Sequence, residues 1–328
     1  MRISLNNADR EKLDGLFRVF ERNMEKADRY NAILEKKTPV NEAKTPLLIH
    51  EIDPTAFLRD DYHQNVKPTA FQSKGWSLFY DHYAPNEGFV YDELAIDPHT
   101  YEETTRFGFF KSDFPFLALA QNGRTWMSVT PHEINTMKNQ IAEAHGKVIT
   151  FGLGLGYYAY ECLKKENVTA MVVIEKDPTL IAYFKKRILP FFPHQEKLRI
   201  IEEDAFHYAS RMGKDHCDYA FVDLWHLPED GLPLYLRMRS LEKKSPTTTF
   251  SYWVEPSLLS LLRRAFLILL QEEMNGSKNE DYDYAATESD AMINKMHRVL
   301  KKESFTSYRQ IVDFASDESL KKLGLRLA

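Results

Sequence analysis

From Lys147 onward the chain alternates between two patterns, and this alternation constrains the fold more than any other feature. The runs Val148–Phe151, Ala170–Ile174, Leu198–Ile201, Tyr219–Val222 and Thr248–Val254 are short, apolar and rich in β-branched or aromatic residues, as expected of strands buried on both faces. Gly156–Lys165, Pro178–Leu189, Phe206–Met212 and Leu232–Lys243 read as helices between them, and Pro256–Glu273 as the helix after the last. Strands separated by helices cannot be joined by tight turns. They pair in parallel through right-handed crossovers, with helices on both faces of the sheet. The expected class is therefore α/β: a doubly wound, Rossmann-like, mostly parallel sheet.

Upstream the pattern differs. Asp9 to Lys37 carries Leu13, Leu16, Phe17, Phe20, Met24, Ala27 and Leu34 at helical spacing, which predicts one long amphipathic helix. Residues 38–75 read as an irregular connection, and the aromatic stretch from Trp76 to Phe110 as short strands. Asn122-Gly123 between two strand-like runs predicts a hairpin. Pro131 then opens a helix over His132–Ala144. Two units are expected: residues 1–130, an N-terminal helix with a β-rich domain, and residues 131–328, the α/β domain with a helical extension. In that extension Glu288–Lys302 is helical in period and Phe305–Phe314 reads as a final strand. The acidic, aromatic segment Asn279–Tyr284 reads as a solvated loop or a lid.

Composition narrows the function. Lys and Arg number 43 against 48 Asp and Glu, a net charge of −5, which lacks the basic excess of a nucleic-acid binder. The two cysteines, Cys162 and Cys217, support neither a disulfide framework nor a thiolate metal cage, and fit a reducing, cytoplasmic setting. There is no His-x-x-x-His or Cys-x-x-Cys spacing and no G-x-S-x-G elbow, so neither a metal site nor a serine nucleophile is expected. No apolar run is long enough to span a membrane, and the N-terminus lacks the apolar stretch of a signal peptide. The long helix and the aromatic content leave a homodimer open.

The chemistry concentrates at strand ends. The first α/β strand runs into Gly152-Leu153-Gly154-Leu155-Gly156-Tyr157, where a helix follows at once, a place for a nucleotide-type ligand. Tyr157 stands where the dinucleotide fingerprint wants its last glycine, which argues against NAD and FAD. Glu175, about twenty residues on, is placed to accept both hydroxyls of a ribose. Asp204 lies beside the expected adenine site and also suits a helix N-cap. The fourth strand ends in Asp223-Leu224-Trp225-His226 at the edge facing the crevice. There His226 suits a general base or is a plain loop histidine, and Trp225 lines the pocket or closes the core.

In this order the glycine loop, Glu175, Asp204-Ala205 and Asp223 resemble class I S-adenosylmethionine-dependent methyltransferases. With the Asn122-Gly123 hairpin and the His132-Glu133 pair, the layout resembles their spermidine synthase branch. The resemblance covers roughly residues 112–255. It implies S-adenosylmethionine as cofactor, with Gly152, Leu153, Gly154, Gly156 and Tyr157 under its methionine and ribose. It further implies Glu175 and Lys176 at the ribose, Asp204 and Ala205 at the adenine, and Asp223 at the reacting end. The chain departs from polyamine synthases in its plainer loop and in lacking a second acid after Asp223, and Thr150 replaces a common methyltransferase acid. The expected function is methyl transfer to a small acceptor. The alternatives are aminopropyl transfer and nucleoside binding without catalysis.

Overall fold

The computed structural model describes residues 1–35, 49–276 and 288–327. Its elements used below are β1 (Arg2–Ile3), α1 (Asn7–Glu35), β2 (Phe71–Ser73), β3 (Trp76–Tyr83), β4 (Phe114–Gln121), β5 (Arg124–Ser128), α2 (Pro131–Glu143), β6 (Gly146–Phe151), α3 (Tyr157–Leu163), β7 (Val168–Glu175) and α4 (Pro178–Arg187). They continue with β8 (Leu198–Glu202), α5 (Ala205–Ser210), β9 (Tyr219–Val222), α6 (Pro228–Leu241), β10 (Thr249–Tyr252), α7 (Glu255–Met274), α8 (Glu288–Leu300), β11 (Ser304–Phe305), α9 (Tyr308–Ala315) and α10 (Asp317–Leu327).

The five expected strands form one parallel sheet in the order β8-β7-β6-β9-β10. The chain moves outward from β6 to β7 and β8, then returns to β9 on the other side, so the winding reverses beside β6. At such a point the loops leaving the strand ends part and open a crevice. Phe151 pairs with both Ile174 and Val222, which brings the exits of β6, β7 and β9 to one level. The central strands are covered, with Val148, Ile149, Phe151, Met171, Val173 and all of β9 buried, whereas β8 has no buried residue and β10 only Tyr252.

The hairpin lies in a second sheet, ordered β5-β4-β3-β2 and antiparallel throughout. Its turn carries Asn122 at φ 51° and Gly123 at φ 81°, the left-handed pair that a two-residue hairpin needs. In β5 the register slips between Thr125 and Met127, leaving Trp126 unpaired as a bulge. Adjacent residues on a regular strand face opposite sides; the bulge lets Trp126 and Met127 both reach the crevice.

In α1 the residues Leu13, Leu16, Phe17 and Phe20 are buried, as expected. The stretch expected to be irregular holds two short helices, Thr55–Leu58 and Asp61–Asn65, the second capped by Asp60. The tail differs more. Of the expected final strand Phe305–Phe314 only Phe305 is extended; with Ser304 it pairs in parallel with Arg2–Ile3. Tyr308–Ala315 is helical, because Ser307 caps it and Ile311 and Ala315 recur four residues apart on its buried face. The segment Asn279–Tyr284 lies outside the described residues.

The two arginines of the apolar helix α7 are anchored. Arg263, buried to 3% exposure, donates to the carbonyl of Ala315 at 2.9 Å, reaches Asp317, and lies over the Tyr101 ring at 4.7 Å. Arg264 and Ser260 share Glu103. These contacts fix the terminal helices to the N-terminal part. Among the described residues no helix is long and apolar enough to cross a membrane.

Candidate functional site

The loop after β6 turns through three glycines with left-handed backbone, Gly152 (φ 103°), Gly154 (φ 48°) and Gly156 (φ 76°). Two of them serve packing. A Cβ on Gly152 would lie 2.0 Å from the carbonyl oxygen of Asp223, and one on Gly156 would meet the rings of Phe184 and Phe192 at 2.6–2.9 Å. Gly154 makes room for Met127, whose sulfur lies 2.2 Å from the Cβ position.

Most amides of this loop are already engaged. Gly152 donates to Ile174 O (2.9 Å), Leu153 to Glu175 Oε2 (3.3 Å), Leu155 to Met127 Sδ (3.2 Å) and Gly156 to Leu153 O (2.9 Å). The carbonyl of Leu155 accepts from Tyr62 Oη at 2.6 Å. An anion-binding loop works by leaving its N–H groups free. Here a neutral thioether occupies the position at Leu155.

Below the hairpin, the loops after all five parallel strands enclose a cavity of about 250 Å³. At its β7–β8 end, Glu175 accepts from the Asp177 amide at 2.8 Å as well as from Leu153. Burial raises the pKa of Glu175, and these amides offset part of the rise. Asp177 caps α4 and accepts from Trp76 Nε1 at 2.8 Å. Asp204 caps α5 through Phe206 N (3.0 Å) and His207 N (2.9 Å), as one reading of it expects, and it also lines the crevice. Lys176 and Ala205 line it as well, and Glu203 there already carries Arg211 and His207.

The β9–β10 end is different. Asp223 sits half-buried at the exit of β9, and burial pushes its carboxyl up to about 7. Glu133 faces it from the first turn of α2; burial and then the Asp223 charge raise it well above the carboxylate range. Neither side chain has a hydrogen-bond partner among the described residues. Trp225 stacks at 6.4 Å on Tyr252 of β10 and rests on Gly231, where a Cβ would lie 2.5 Å from the indole. Trp253 is held by Nε1 donating to Thr136 Oγ1 at 3.0 Å, and the next residue, Val254, turns through φ 47° before α7 begins. That conformation is strained for a β-branched residue and fixes the exit of β10. His132, which burial lowers to about 4, meets the Trp253 ring edge-on at 6.4 Å.

The site thus unites Gly152, Leu153, Gly154, Glu175, Lys176, Asp204, Ala205 and Asp223 of the residues expected from the sequence. It does not include three others. Gly156 faces two phenylalanines, and Tyr157 turns its hydroxyl to Asp60 at 3.0 Å. His226 sets Nδ1 3.2 Å from the Trp126 carbonyl and stacks on that indole at 6.0 Å, outside the lining. Trp225 both lines the crevice and packs into the core. Sequence reasoning missed Met127, Trp76, Trp126 and Trp253. All four tryptophans of the chain line this crevice. Among the described residues no group of His, Cys, Asp and Glu is placed to hold a metal.

No family model matches the chain, and no curated protein does. Among solved structures it is similar to the spermidine synthase of Thermotoga maritima, with 16% identity over 46% of this chain and 58% of that one, and a TM-score of 0.32. It is also similar to a spermidine synthase in complex with the transition-state analogue AdoDATO, with 15% identity over 55% and 70% of the two chains and a TM-score of 0.32. A third is a probable spermidine synthase from Corynebacterium glutamicum ATCC 13032, with 12% identity over 76% and 94% and a TM-score of 0.36. The chain thus spans 58% of the first of these proteins. Likeness this loose carries no argument about what the crevice binds.

Proposed function

We propose that the chain transfers an aminoalkyl group from a decarboxylated S-adenosylmethionine-type nucleoside to an amine. The carrying observation is the charge inventory of the crevice. Six carboxyl groups line it, of which burial holds Glu133 and Asp223 toward their neutral forms and Glu203 is already paired by basic side chains, against a single lining cation, Lys176, at the ribose end. A donor bearing a sulfonium and an ammonium suits these walls. The carboxylate of intact S-adenosylmethionine would find few free loop amides and no arginine, and desolvating an unpaired charge costs several kcal/mol. The engaged loop likewise disfavours the pyrophosphate of a dinucleotide.

In this reading Glu175 takes the ribose hydroxyls, Asp204 and Ala205 border the adenine, and Met127 closes the glycine loop over the sulfur end. The donor supplies a carbon activated by its positively charged sulfur. The amine nitrogen forms a bond to that carbon as the carbon–sulfur bond breaks, the electron pair stays on sulfur as a neutral thioether, and the amine loses one proton. Asp223, with Glu133 beside it, receives that proton; a carboxyl raised to about 7 is matched to the task at neutral pH. Alignment by the crevice walls supplies the rest.

Calorimetric titration with S-adenosylmethionine, its decarboxylated form and S-adenosylhomocysteine tests the reading. The decarboxylated donor should bind at least roughly tenfold tighter than intact S-adenosylmethionine, as the loss of an unpaired carboxylate requires. Equal or reversed affinities would favour methyl transfer, the second reading, which the glycine loop followed by Glu175 also supports. If none of the three binds, nucleoside chemistry at this crevice is refuted.

A further inference from the structure

We infer that the acceptor is an arylalkyl monoamine, a flat aromatic group carrying one basic nitrogen, rather than a linear α,ω-diamine. The inference rests on the proposed donor reading and deepens it. The donor end is defined by Glu175 and Asp204 after β7 and β8, so the acceptor end lies on the far side of Asp223. Three indoles line that part of the wall. Trp225 stacks on Tyr252 of β10, Trp253 leaves that same strand, and Trp126 reaches over the β9 loop, where its carbonyl meets His226. The acidic groups on this part of the wall are Asp223 and Glu133.

The charge count then decides. Asp223 is the acid placed to meet the attacking amine, and Glu133, which burial and the Asp223 charge hold toward its neutral form, stands beside it. One basic nitrogen on the acceptor can be met there, but a second at its far end would lie against indole surface where no further acid lines the crevice wall. Aromatic faces accept a cation at their centre and bind flat apolar surface well, yet they do not replace a carboxylate for a fully desolvated ammonium. The neighbouring acids Asp92, Glu93 and Glu255 are not part of the crevice wall. Asp92 is held by Arg106, and Glu255 by Tyr235 and Lys321. A substrate with one amine and an aromatic remainder fills this space without leaving a charge unmet.

The test is equilibrium binding to the full chain with 5′-methylthioadenosine filling the donor end, followed by calorimetry and by tryptophan fluorescence. 2-Phenylethylamine should bind on the order of tenfold tighter than 1,4-diaminobutane and should shift the indole emission. Trp126 is 38% exposed, so Trp126→Leu should leave the melting temperature unchanged while abolishing most of that preference. Diaminobutane binding as tightly as phenylethylamine, or a preference that survives Trp126→Leu, would overturn the acceptor class and leave the donor reading standing. If diaminobutane binding is then lost in Glu93→Gln, its second ammonium reaches beyond the indole wall, and the inference is wrong for that reason. Failure of 5′-methylthioadenosine and of the decarboxylated donor to bind would overturn both readings at once.

Discussion

Replacing Asp223 by Asn should make the protein more stable and less active, with a stability gain that depends on pH. The substitution keeps the side chain's shape and removes its titration. An aspartate ordinarily titrates near 3.8, whereas burial pushes Asp223 up to about 7. A gap of about three pKa units corresponds to ~4 kcal/mol for a fully enclosed group. Asp223 is only half-buried and opens on the crevice, and solvent screening reduces this to about 2 kcal/mol. The folded chain holds the proton more tightly than the unfolded chain. The wild type therefore loses stability as pH rises from about 4 to about 7, and the loss is complete above 7. The Asp223→Asn variant carries no such loss. Its advantage should be absent at pH 4, grow through the window, and level off near 2 kcal/mol at pH 8, about 3 °C in melting temperature for a chain of this length. Scanning calorimetry from pH 4 to 8.5 reads it directly. A variant no more stable than wild type at pH 8, or a difference constant with pH, would refute the assignment of a desolvated carboxyl. The same variant should lose at least roughly a hundredfold in turnover, the scale of a missing general base.

Three other outcomes follow from the geometry. Glu175→Ala should weaken nucleoside binding by about 1–3 kcal/mol, the scale of a lost charged hydrogen bond; unchanged affinity by calorimetry removes Glu175 from the site. Gly152→Ala places a Cβ 2.0 Å from the Asp223 carbonyl at φ 103°, so the melting temperature should fall by several degrees and crevice ligands should be lost, whereas an unchanged melting curve would show that the two loops are not in contact. Met127→Ala should free the Leu155 amide and narrow the preference for the decarboxylated donor, and an unaltered affinity ratio would exclude Met127 from donor selection.

The parallel sheet is legible because its central strands β6, β7 and β9 are largely buried and so write apolar runs into the sequence, while the edge strands β8 and β10, less covered, still carry short apolar stretches. β9 agrees with that reading at both ends and β6 at its last residue, Phe151, although β6 begins two residues earlier, at Gly146. Asn122-Gly123 was legible because few residue pairs tolerate two successive left-handed conformations. The carboxylates Glu175, Asp204 and Asp223 could be placed because they follow strands at the crevice edge. The indoles could not. Trp76, Trp126, Trp225 and Trp253 are far apart in sequence and share no period, and their convergence depends on a bulge in β5, a missing Cβ at Gly231 and the left-handed Val254. Of the two readings of His226, general base or plain loop histidine, sequence alone decides neither, because the loop after Asp223 bends its ring toward the hairpin backbone and out of the crevice lining. The stretch Phe305–Phe314 looked like a strand because aromatic residues favour strands. Ser307 decided otherwise by capping a helix in its middle.

The pairing of Arg2–Ile3 with Ser304–Phe305 joins segments about 300 residues apart. It sets a timetable for biosynthesis. At roughly 5–20 residues per second, the first strand emerges from the ribosome about 15–60 s before its partner exists. For most of that interval α1 lacks α7, and throughout it α1 lacks α9, the two helices against which it packs, so Leu13, Leu16, Phe17 and Phe20 wait for their full cover. The parallel sheet can be complete while the opening helix α1 still waits for α9.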